Sequence, residues 1–218
     1  MPCGRNYKKE VLKTKCVIIG GAPISNYEAA GKYIDGDDFI ICCDSGLYHA
    51  QGLGAVPSLI VGDFDSHPAP DTDIETITLP CEKDDTDTVF AAKTAVERGY
   101  DEFVLLGAAG GRLDHTLCNV SILLFLFERG KRAVLADDFS EMEIVGAQEK
   151  QVDSSFSYFS LISLGGTAQG VTVTGAKYPL CDAQIKCDYQ YGVSNEVSGS
   201  LPARVSCRHG RLLLIKVR

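Results

Sequence analysis

The fold class of this 218-residue chain follows from residues 103–135, FVLLGAAGGRLDHTLCNVSILLFLFERGKRAVL. Four apolar residues at 103–106 are typical of a buried strand, and a glycine-rich turn separates them from a long, largely apolar helical segment at 113–129. Gly130 ends the helix, and the apolar residues 132–135 form the next strand. A strand, a helix and a second strand in this order indicate two parallel strands joined by a crossover helix.

The same alternation extends towards the N-terminus. Apolar, β-rich runs predict strands at 16–19, 39–43, 58–61 and 74–78, and the segments between them predict helices at 25–33, 46–53 and 85–98. Strands separated by helices of this size are typical of a mostly parallel sheet with helices on its faces. We therefore predict an α/β domain over residues 1–138.

The pattern changes after residue 140. Short β-branched or aromatic segments such as EMEIVG, YFSLISL, GVTVTGA and RLLLIKV are separated by Gly, Pro, Asn and Ser, without a helical period. This pattern predicts a smaller all-β domain over residues 139–218, an antiparallel sandwich or barrel. We expect the boundary near residues 137–142 and direct packing between the two domains.

Charge and hydropathy exclude two classes of partner. The net charge is −8, and residues 62–87 hold nine acids and a single base, Lys83. Phosphate backbones need clustered Lys and Arg, so nucleic acid is not expected as a partner. The longest strongly apolar run, 118–127, is well short of the roughly 20 residues that a membrane helix needs.

The N-terminus and the cysteines indicate a cytoplasmic protein. The first fifteen residues are basic but lack the apolar core of a secretory signal. Nine scattered cysteines form no CxxC pair, and the four histidines do not have zinc-ligand spacing. We expect the thiols to be reduced and mostly buried, because the cytosol keeps thiols reduced.

The first motif that can carry chemistry is Gly62-Asp63-Phe64-Asp65-Ser66, which follows a predicted strand. If the backbone stays extended, Asp63 and Asp65 point to one side while Phe64 packs inward. Two carboxylates and a hydroxyl are hard oxygen ligands that suit Mg²⁺. A turn closed by Asx hydrogen bonds explains the same residues, so the motif alone does not decide between metal and turn.

The second motif, Lys83-Asp84-Asp85-Thr86-Asp87, lies just before a predicted helix. Asp84 has the position of an N-cap, and Asp87 lies near the first turn, where the helix dipole favours an anion. Helix capping does not explain a single lysine among nine acids, nor a second acidic loop about 20 residues after the first. Sheet-edge carboxylates plus Lys83 would balance one Mg²⁺ and a polyphosphate, which favours a metal site.

The third motif is the glycine-rich turn before the helix at 113–129. Gly110 and Gly111 allow close approach of a ligand, and the helix N-terminus offers free N–H groups to a phosphate. Arg112 adds two-pronged hydrogen bonds to phosphate oxygens. Asp114 could cap, bind metal or accept a proton, and His115 is either a satisfied interior histidine or a catalyst. The Walker A and GxGxxG patterns are absent.

A fourth element, Cys43-Asp44-Ser45-Gly46-Leu47, follows the second predicted strand. Ligands of open α/β sheets bind where strands end and loops lead into helices, and Asp44 has such a position. Its carboxylate either caps the next helix or contacts a nucleotide at the edge of the sheet.

Taken together, GDFDS, KDDTD, GGRLDH and the late segment Gly192-Val193-Ser194-Asn195-Glu196 resemble the thiamine pyrophosphokinase family in order and spacing. The likeness covers nearly the whole chain. It is closest to bacterial members, in which a GxKYPL segment, here residues 175–180, stands where animal and fungal members carry tryptophan. This chain has no tryptophan, so ring stacking on a substrate would fall to Tyr178 or another aromatic residue.

The resemblance implies an ATP-binding α/β domain and a thiamine-binding β-sandwich in a homodimer with active sites between subunits. It implies Mg²⁺-dependent transfer of a pyrophosphoryl group from ATP to the hydroxyl of thiamine, with release of AMP. Residue by residue, the resemblance places Asp63, Asp65, Asp84 and Asp87 at the family's acidic metal and substrate positions, Arg112 and Asp114 in its phosphate-side motif, and Ser194 and Asn195 in the segment that lines the thiamine pocket. From the residues themselves we expect Asp63, Asp65 and Asp87 around Mg²⁺, with Asp84 sharing metal or water contacts. The expected ATP ligands are Asp44, Lys83, Gly110, Gly111, Arg112 and His115, and Tyr178 is expected beside Ser194 and Asn195 at thiamine.

The chemistry of the residues agrees with this assignment. Attack of a hydroxyl at the β-phosphorus requires mainly alignment and charge neutralisation, which a metal on carboxylates together with Lys83 and Arg112 can supply. The choice of general base stays open between Asp87 and Asp114. The alternatives are pyrophosphoryl transfer to a related alcohol such as a hydroxymethylpterin, a non-catalytic nucleotide or thiamine diphosphate sensor, and a Mg²⁺-dependent phosphatase.

Overall fold

The computed structural model describes residues 15–65, 69–82 and 84–218. The predicted phosphate ligand Lys83 and the hydroxyl of Ser66 lie outside the described residues, as does Cys3. The helices are α1 (Tyr27–Gly31), α2 (Gly46–Leu53), α3 (Asp87–Glu97) and α4 (Leu113–Phe127). The strands are β1 (Lys15–Ile19), β2 (Phe39–Cys43), β3 (Leu59–Gly62), β4 (Thr76–Thr78), β5 (Glu102–Leu106), β6 (Arg132–Ala136), β7 (Ser140–Val145), β8 (Lys150–Val152), β9 (Tyr158–Thr174), β10 (Leu180–Ile185), β11 (Gly192–Asn195) and β12 (Ala203–Val217).

The first six strands form a parallel sheet in the order β6-β5-β1-β2-β3-β4. Successive side chains of a strand point to opposite faces, and here both faces are apolar. Cys16 and Ile18 pack under α3 and α4, whereas Val17 and Ile19 pack with α2 on the other face. The predicted α/β region is confirmed.

The strand order reverses between β1 and β5. The chain builds β2, β3 and β4 outward on one side of β1, then crosses over to place β5 and β6 on the other side. The connections that leave the carboxyl ends of β1 and β5 therefore run to opposite faces of the sheet. Such a switch point is where open α/β sheets bind ligands.

The last six strands form the antiparallel region that the sequence predicts. The long strands β9 and β12 pair along most of their length, with a register shift between His209 and Arg211. Gly165 and Gly210 have positive φ near this shift, which lets the pair bend. Apolar residues from both halves, such as Phe159 and Val173, meet in one core.

The two regions share one sheet. Strand β6 pairs with β7 in antiparallel register, Leu135 opposite Met142, and β7 pairs in turn with β12. The parallel sheet thus continues into the antiparallel one through the turn at 137–139. The division into 1–138 and 139–218 stays a prediction.

Two local predictions are wrong. The helix predicted at 25–33 is confined to α1, which has only five residues. Thr86, not Asp84, is the N-cap of α3, because its hydroxyl accepts a hydrogen bond from the Val89 N–H (3.3 Å). Asp87 lies in the first helical turn, as predicted.

The burial of the cysteines agrees in part with the prediction that most of them are buried. The eight described cysteines are free; Cys16, Cys42, Cys43 and Cys207 are buried, whereas Cys81, Cys181 and Cys187 are exposed and Cys118 is half-buried. Burial raises the pKa of the Cys42 thiol to about 12. Among the described residues, every helix is too short or too polar to cross a membrane.

Candidate functional site

A pocket of about 610 Å³ opens at the carboxyl edge of the parallel sheet, over the switch point. Its walls are the loops after β1, β2, β3, β4 and β5 and the N-terminal parts of α3 and α4. Eight of the predicted site residues line it: Asp44, Asp63, Asp84, Asp87, Gly110, Gly111, Arg112 and His115. The pocket thus joins carboxylates from three loops to a cation and a glycine-rich turn from a fourth.

The floor of the pocket depends on glycines after β1 and β5. The Gly20 N–H donates to the Leu106 carbonyl and the Ala22 N–H donates to the Gly107 carbonyl, both at 2.8 Å. A Cβ on Gly20 would lie 2.6 Å from the Gly107 carbonyl oxygen. Only residues without a side chain allow the two loops to approach this closely.

The loop after β3 does not have the extended backbone that the sequence suggests. Phe64 has a φ of 52°, in the left-handed region, and the Asp65 N–H donates to Asp63 Oδ1 at 3.4 Å. Of the two conformations that the sequence leaves open, the Asx turn is the one adopted, so the extended backbone that would point Asp63 and Asp65 to one side is not present. Asp63 lines the pocket, whereas Asp65 is exposed and lies outside its lining.

The segment before α3 brings two more carboxylates to the pocket. Asp84 and Asp87 both line it, and Oδ1 of Asp87 is shielded from solvent. Burial and the charge of Asp87 raise the pKa of the Cys43 thiol well above its ordinary value. Asp85 also lines the pocket, and its carboxylate forms an ion pair with Lys93 of α3 at 2.6 Å.

The described residues hold no cluster of three or more Asp, Glu, His or Cys side chains arranged for a metal ion. Asp63 and Asp87 nevertheless line the same pocket. Mg²⁺ in phosphate-transferring enzymes is usually bound by one or two carboxylates plus waters and substrate phosphates. This donor set fits such an ion, with the remaining positions left to nucleotide and water.

At the start of α4, Arg112 and Asp114 form an ion pair. Arg112 donates to Asp114 through Nε (3.2 Å) and Nη2 (2.6 Å). The Arg112 guanidinium lowers the pKa of Asp114 to about 2. Arg112 lines the pocket and Asp114 does not, so the carboxylate lies behind the guanidinium that faces the pocket. His115 is exposed and lines the pocket, which rules out an interior histidine.

The glycine-rich turn is fixed by side chains of α4. The Gly110 N–H donates to Thr116 Oγ1 (3.1 Å), and Asn119 Nδ2 donates to the Ala108 carbonyl (2.7 Å). The Gly110 N–H is thus engaged within the protein. The first N–H groups of a helix have no partner within it and are the donors that a phosphate can use. Asn119 is buried, lines the pocket and was not predicted; the signal for it is its place one turn after His115.

Asp44 lines the pocket with a φ of 44°. Ser45 is the N-cap of α2 and makes no side-chain capping bond, so the alternative that Asp44 caps this helix is wrong. Non-glycine residues in the left-handed region are uncommon and concentrate at functional sites. Among the described residues they are Asp44, Phe64, Asp182 and Ser194, of which three belong to predicted site motifs.

The residues predicted to bind thiamine lie together in the antiparallel region. Asn195 is only 7% exposed; its Oδ1 accepts from the Tyr178 N–H (3.0 Å) and its Nδ2 donates to the Tyr178 carbonyl (2.8 Å). The Tyr178 ring is 58% exposed, and Ser194 is exposed with a φ of 58°. None of the three residues lines the pocket over the switch point of the same chain.

Comparison with known proteins identifies both regions. Residues 30–135 match the sequence model described as "Thiamin pyrophosphokinase, catalytic domain", and residues 145–212 match "Thiamin pyrophosphokinase, vitamin B1 binding domain". The thiamine pyrophosphokinase of Bacillus subtilis (strain 168) is 27% identical over 92% of this chain and 96% of that protein. The crystal structure of thiamin pyrophosphokinase from Geobacillus thermodenitrificans is 30% identical, covers 94% of this chain and 98% of that chain, and has a TM-score of 0.81. The chain belongs to the thiamine pyrophosphokinase family.

The two domain matches divide the predicted site residues. The thiamine pyrophosphokinase catalytic domain contains every predicted metal and phosphate ligand, and the vitamin B1 binding domain contains Tyr178, Ser194 and Asn195. The fungal family member from Candida albicans has the same fold, with a TM-score of 0.76 at 18% identity. The predicted metal and phosphate ligands and the predicted thiamine ligands thus fall in two different family domains.

Proposed function

We propose that this chain is an ATP-dependent thiamine pyrophosphokinase, which transfers a pyrophosphoryl group to the hydroxyl of thiamine and releases AMP. The observation that carries the proposal is the pocket at the switch point, whose lining joins Asp63, Asp84 and Asp87 to Arg112 and the glycine-rich turn. Carboxylates for a metal and donors for a polyphosphate are the two sets of groups that phosphoryl transfer needs.

We propose that ATP binds in this pocket. The triphosphate lies against Gly111, Arg112 and the first turn of α4, where free N–H groups and a bidentate guanidinium favour phosphate oxygens. Lys83 joins from the acidic loop, and Asp44, Gly110 and His115 complete the nucleotide site. Asp84 contributes a further carboxylate to the lining of the pocket.

Mg²⁺ is held by Asp63, Asp65 and Asp87 in the proposal. The support is chemical: these are hard oxygen donors, and two of the three line the pocket. When bound, the ion neutralises charge on the phosphate oxygens and helps to align them. Asp65 lies outside the pocket lining, next to Asp63 in the same turn.

The remaining roles follow from charge. Arg112 neutralises the phosphates while Asp114 holds its guanidinium in place. A carboxylate with a pKa of about 2 is a weak base, so Asp114 is unsuited to accept the thiamine proton. This leaves Asp87, which lines the pocket, as the proposed base.

Thiamine binds to Tyr178, Ser194 and Asn195 in the proposal, with the exposed Tyr178 ring stacked on the vitamin. These residues do not line the nucleotide pocket of their own chain. A homodimer in which each subunit supplies the thiamine side of its partner's site would bring the two together. We further propose that the enzyme acts in the cytoplasm, in agreement with its free cysteines.

The decisive experiment incubates the protein with ATP, Mg²⁺ and thiamine and separates the products by liquid chromatography. AMP and thiamine diphosphate in equal amounts, lost on chelation with EDTA, would support the proposal. AMP formed with a hydroxymethylpterin and none with thiamine would contradict it. Tight binding without turnover would indicate a sensor, and release of inorganic phosphate a phosphatase.

A further inference from the structure

Asp138 lies outside the pocket but binds the loop that forms one of its walls. It follows strand β6, in the turn that leads from the parallel to the antiparallel region. Its Oδ2 accepts a hydrogen bond from the Ser25 N–H at 2.7 Å, and its Oδ1 accepts one from the Asn26 N–H at 3.0 Å. One carboxylate thus holds two successive amides that are more than a hundred residues away in sequence.

The segment that Asp138 holds belongs to the nucleotide pocket. Residues 20–23 line the pocket, and they end two residues before Ser25. At its other end the segment is fixed to the carboxyl end of β5 by the hydrogen bonds from Gly20 and Ala22. The wall is therefore anchored on one side by the switch point and on the other by Asp138.

The Asp138 carboxylate is itself well placed and charged. The neighbouring Asp137 closes the turn, because its Oδ1 accepts hydrogen bonds from the Phe139 N–H (2.8 Å) and the Ser140 N–H (2.6 Å). Burial acts to raise the pKa of Asp138, but hydrogen bonds from Ser25 and Asn26 outweigh it and leave the pKa below its ordinary value. Hydrogen bonds to an ionised acceptor are stronger than those between neutral groups.

We propose that Asp138 is a positioning residue for the nucleotide, which keeps residues 20–26 in the conformation that the ATP pocket requires. The inference rests on the proposed function, since it takes the pocket to be the ATP site. Asp138 does not line the pocket and acts through the loop. Because it stands between the regions that carry the two family domains, it also ties the wall of the nucleotide site to the start of the antiparallel region.

The test compares Asp138→Ala and Asp138→Asn with Asp153→Ala as a matched control. Asp153 also accepts a backbone N–H, from Ser155 at 2.9 Å in a surface turn, and its pKa is likewise lowered, but it lies far along the chain from the pocket loops. Steady-state kinetics give KM for ATP and for thiamine, titration calorimetry gives ATP·Mg²⁺ binding, and hydrogen exchange reports on peptides that cover residues 20–30.

In Asp138→Ala we expect KM for ATP to rise about tenfold, while KM for thiamine stays within about twofold. The rise is smaller than the full loss of two hydrogen bonds to a charged group, because Asp138 acts on the nucleotide only through the loop. Asp138→Asn keeps one carbonyl acceptor and should lie between Asp138→Ala and the unmodified chain. Exchange should accelerate in residues 20–30 and nowhere else. Asp153→Ala should change none of these values.

Two outcomes would overturn the inference. The first is an unchanged ATP affinity in both Asp138 variants. The second is accelerated hydrogen exchange over the whole chain with proportional losses for ATP and thiamine, which would indicate a purely structural role. If Asp138→Ala does not fold, Asp138→Asn decides. The unmodified protein tests the proposed function separately, because absence of AMP there would leave the calorimetric and exchange results on ATP·Mg²⁺ intact.

Discussion

Gly107 faces the backbone of Gly20 so closely that a Cβ on Gly107 would lie 2.4 Å from the Gly20 carbonyl oxygen. Gly107 also has a φ of 56°, which L side chains rarely adopt. The two loops that diverge at the switch point therefore pack backbone against backbone. Neither side can yield as a flexible side chain would.

Gly107→Ala should consequently destabilise the protein by about 2–5 kcal/mol, the sum of a left-handed alanine and an overpacked contact. Urea unfolding measures the loss. Gly99→Ala is the matched control, since Gly99 has a φ of 90° but open space around its Cβ position, and should cost about 1 kcal/mol. Equal losses in the two variants would contradict the close packing of the pocket floor.

Asp63→Asn should reduce turnover by several orders of magnitude and leave the fold intact. Asp63 lines the pocket, and a loop carboxylate contributes little to the core. Turnover with Mg²⁺ and circular dichroism together measure this. Asp71→Asn removes the same charge from an exposed position of the same acidic stretch and should be nearly silent. Near-normal activity of Asp63→Asn would refute the metal role.

The sequence predicts strands and helices well where the pattern is local. The strand 39–43 and the helix 46–53 have the predicted bounds, because a continuous apolar run and a glycine-flanked helical segment need no distant partner. Helix α1 is shorter than predicted. Part of the reason is that the Ser25 and Asn26 amides bind Asp138, a contact that no local pattern reveals.

The candidate site likewise divides into residues that the sequence pattern predicts and features that depend on distant contacts. Asp63, Asp87 and Arg112 follow strand ends or begin helices, so their meeting at one edge could be predicted from topology. At Phe64 the sequence leaves an extended loop and an Asx turn open; the structure has the turn, with the Phe64 ring close to Gly62. Asn119 was missed because a single polar residue in an apolar helix gives no sign of which loop it holds.

Asn195→Ala should raise KM for thiamine about tenfold while KM for ATP changes little, because the loss of its hydrogen bonds frees the Tyr178 backbone. Steady-state kinetics with each substrate varied in turn measures the difference. Tyr178→Ala should show the same selectivity. Tyr189→Ala, an exposed tyrosine of the same region, serves as control and should be silent. An effect of Asn195→Ala confined to ATP would place this segment elsewhere.

The carboxyl group of Asp114 should titrate near pH 2 in ¹³C NMR of the folded protein, because Arg112 favours the charged form. Since its folded pKa is below the unfolded value of 3.8, the pair stabilises the fold above pH 3.8, and this contribution is lost as the pH falls through about 2. Arg112→Gln should return the midpoint towards 3.8. A native midpoint near 3.8 would show that the pair does not form in solution.

Cys81 should react with N-ethylmaleimide in the native protein, and ATP·Mg²⁺ should slow that reaction. Cys81 is exposed and lines the pocket, whereas Cys187 is exposed but outside it. At an ATP concentration about ten times its Kd, about a tenth of the sites are free, so the Cys81 rate should fall about tenfold. Mass spectrometry of peptides resolves each thiol. Cys187 should be labelled at the same rate with or without ATP, and Cys16, whose pKa burial raises, should stay unmodified. Equal protection of Cys81 and Cys187 would mean that ATP acts through the overall stability of the protein rather than by filling this pocket.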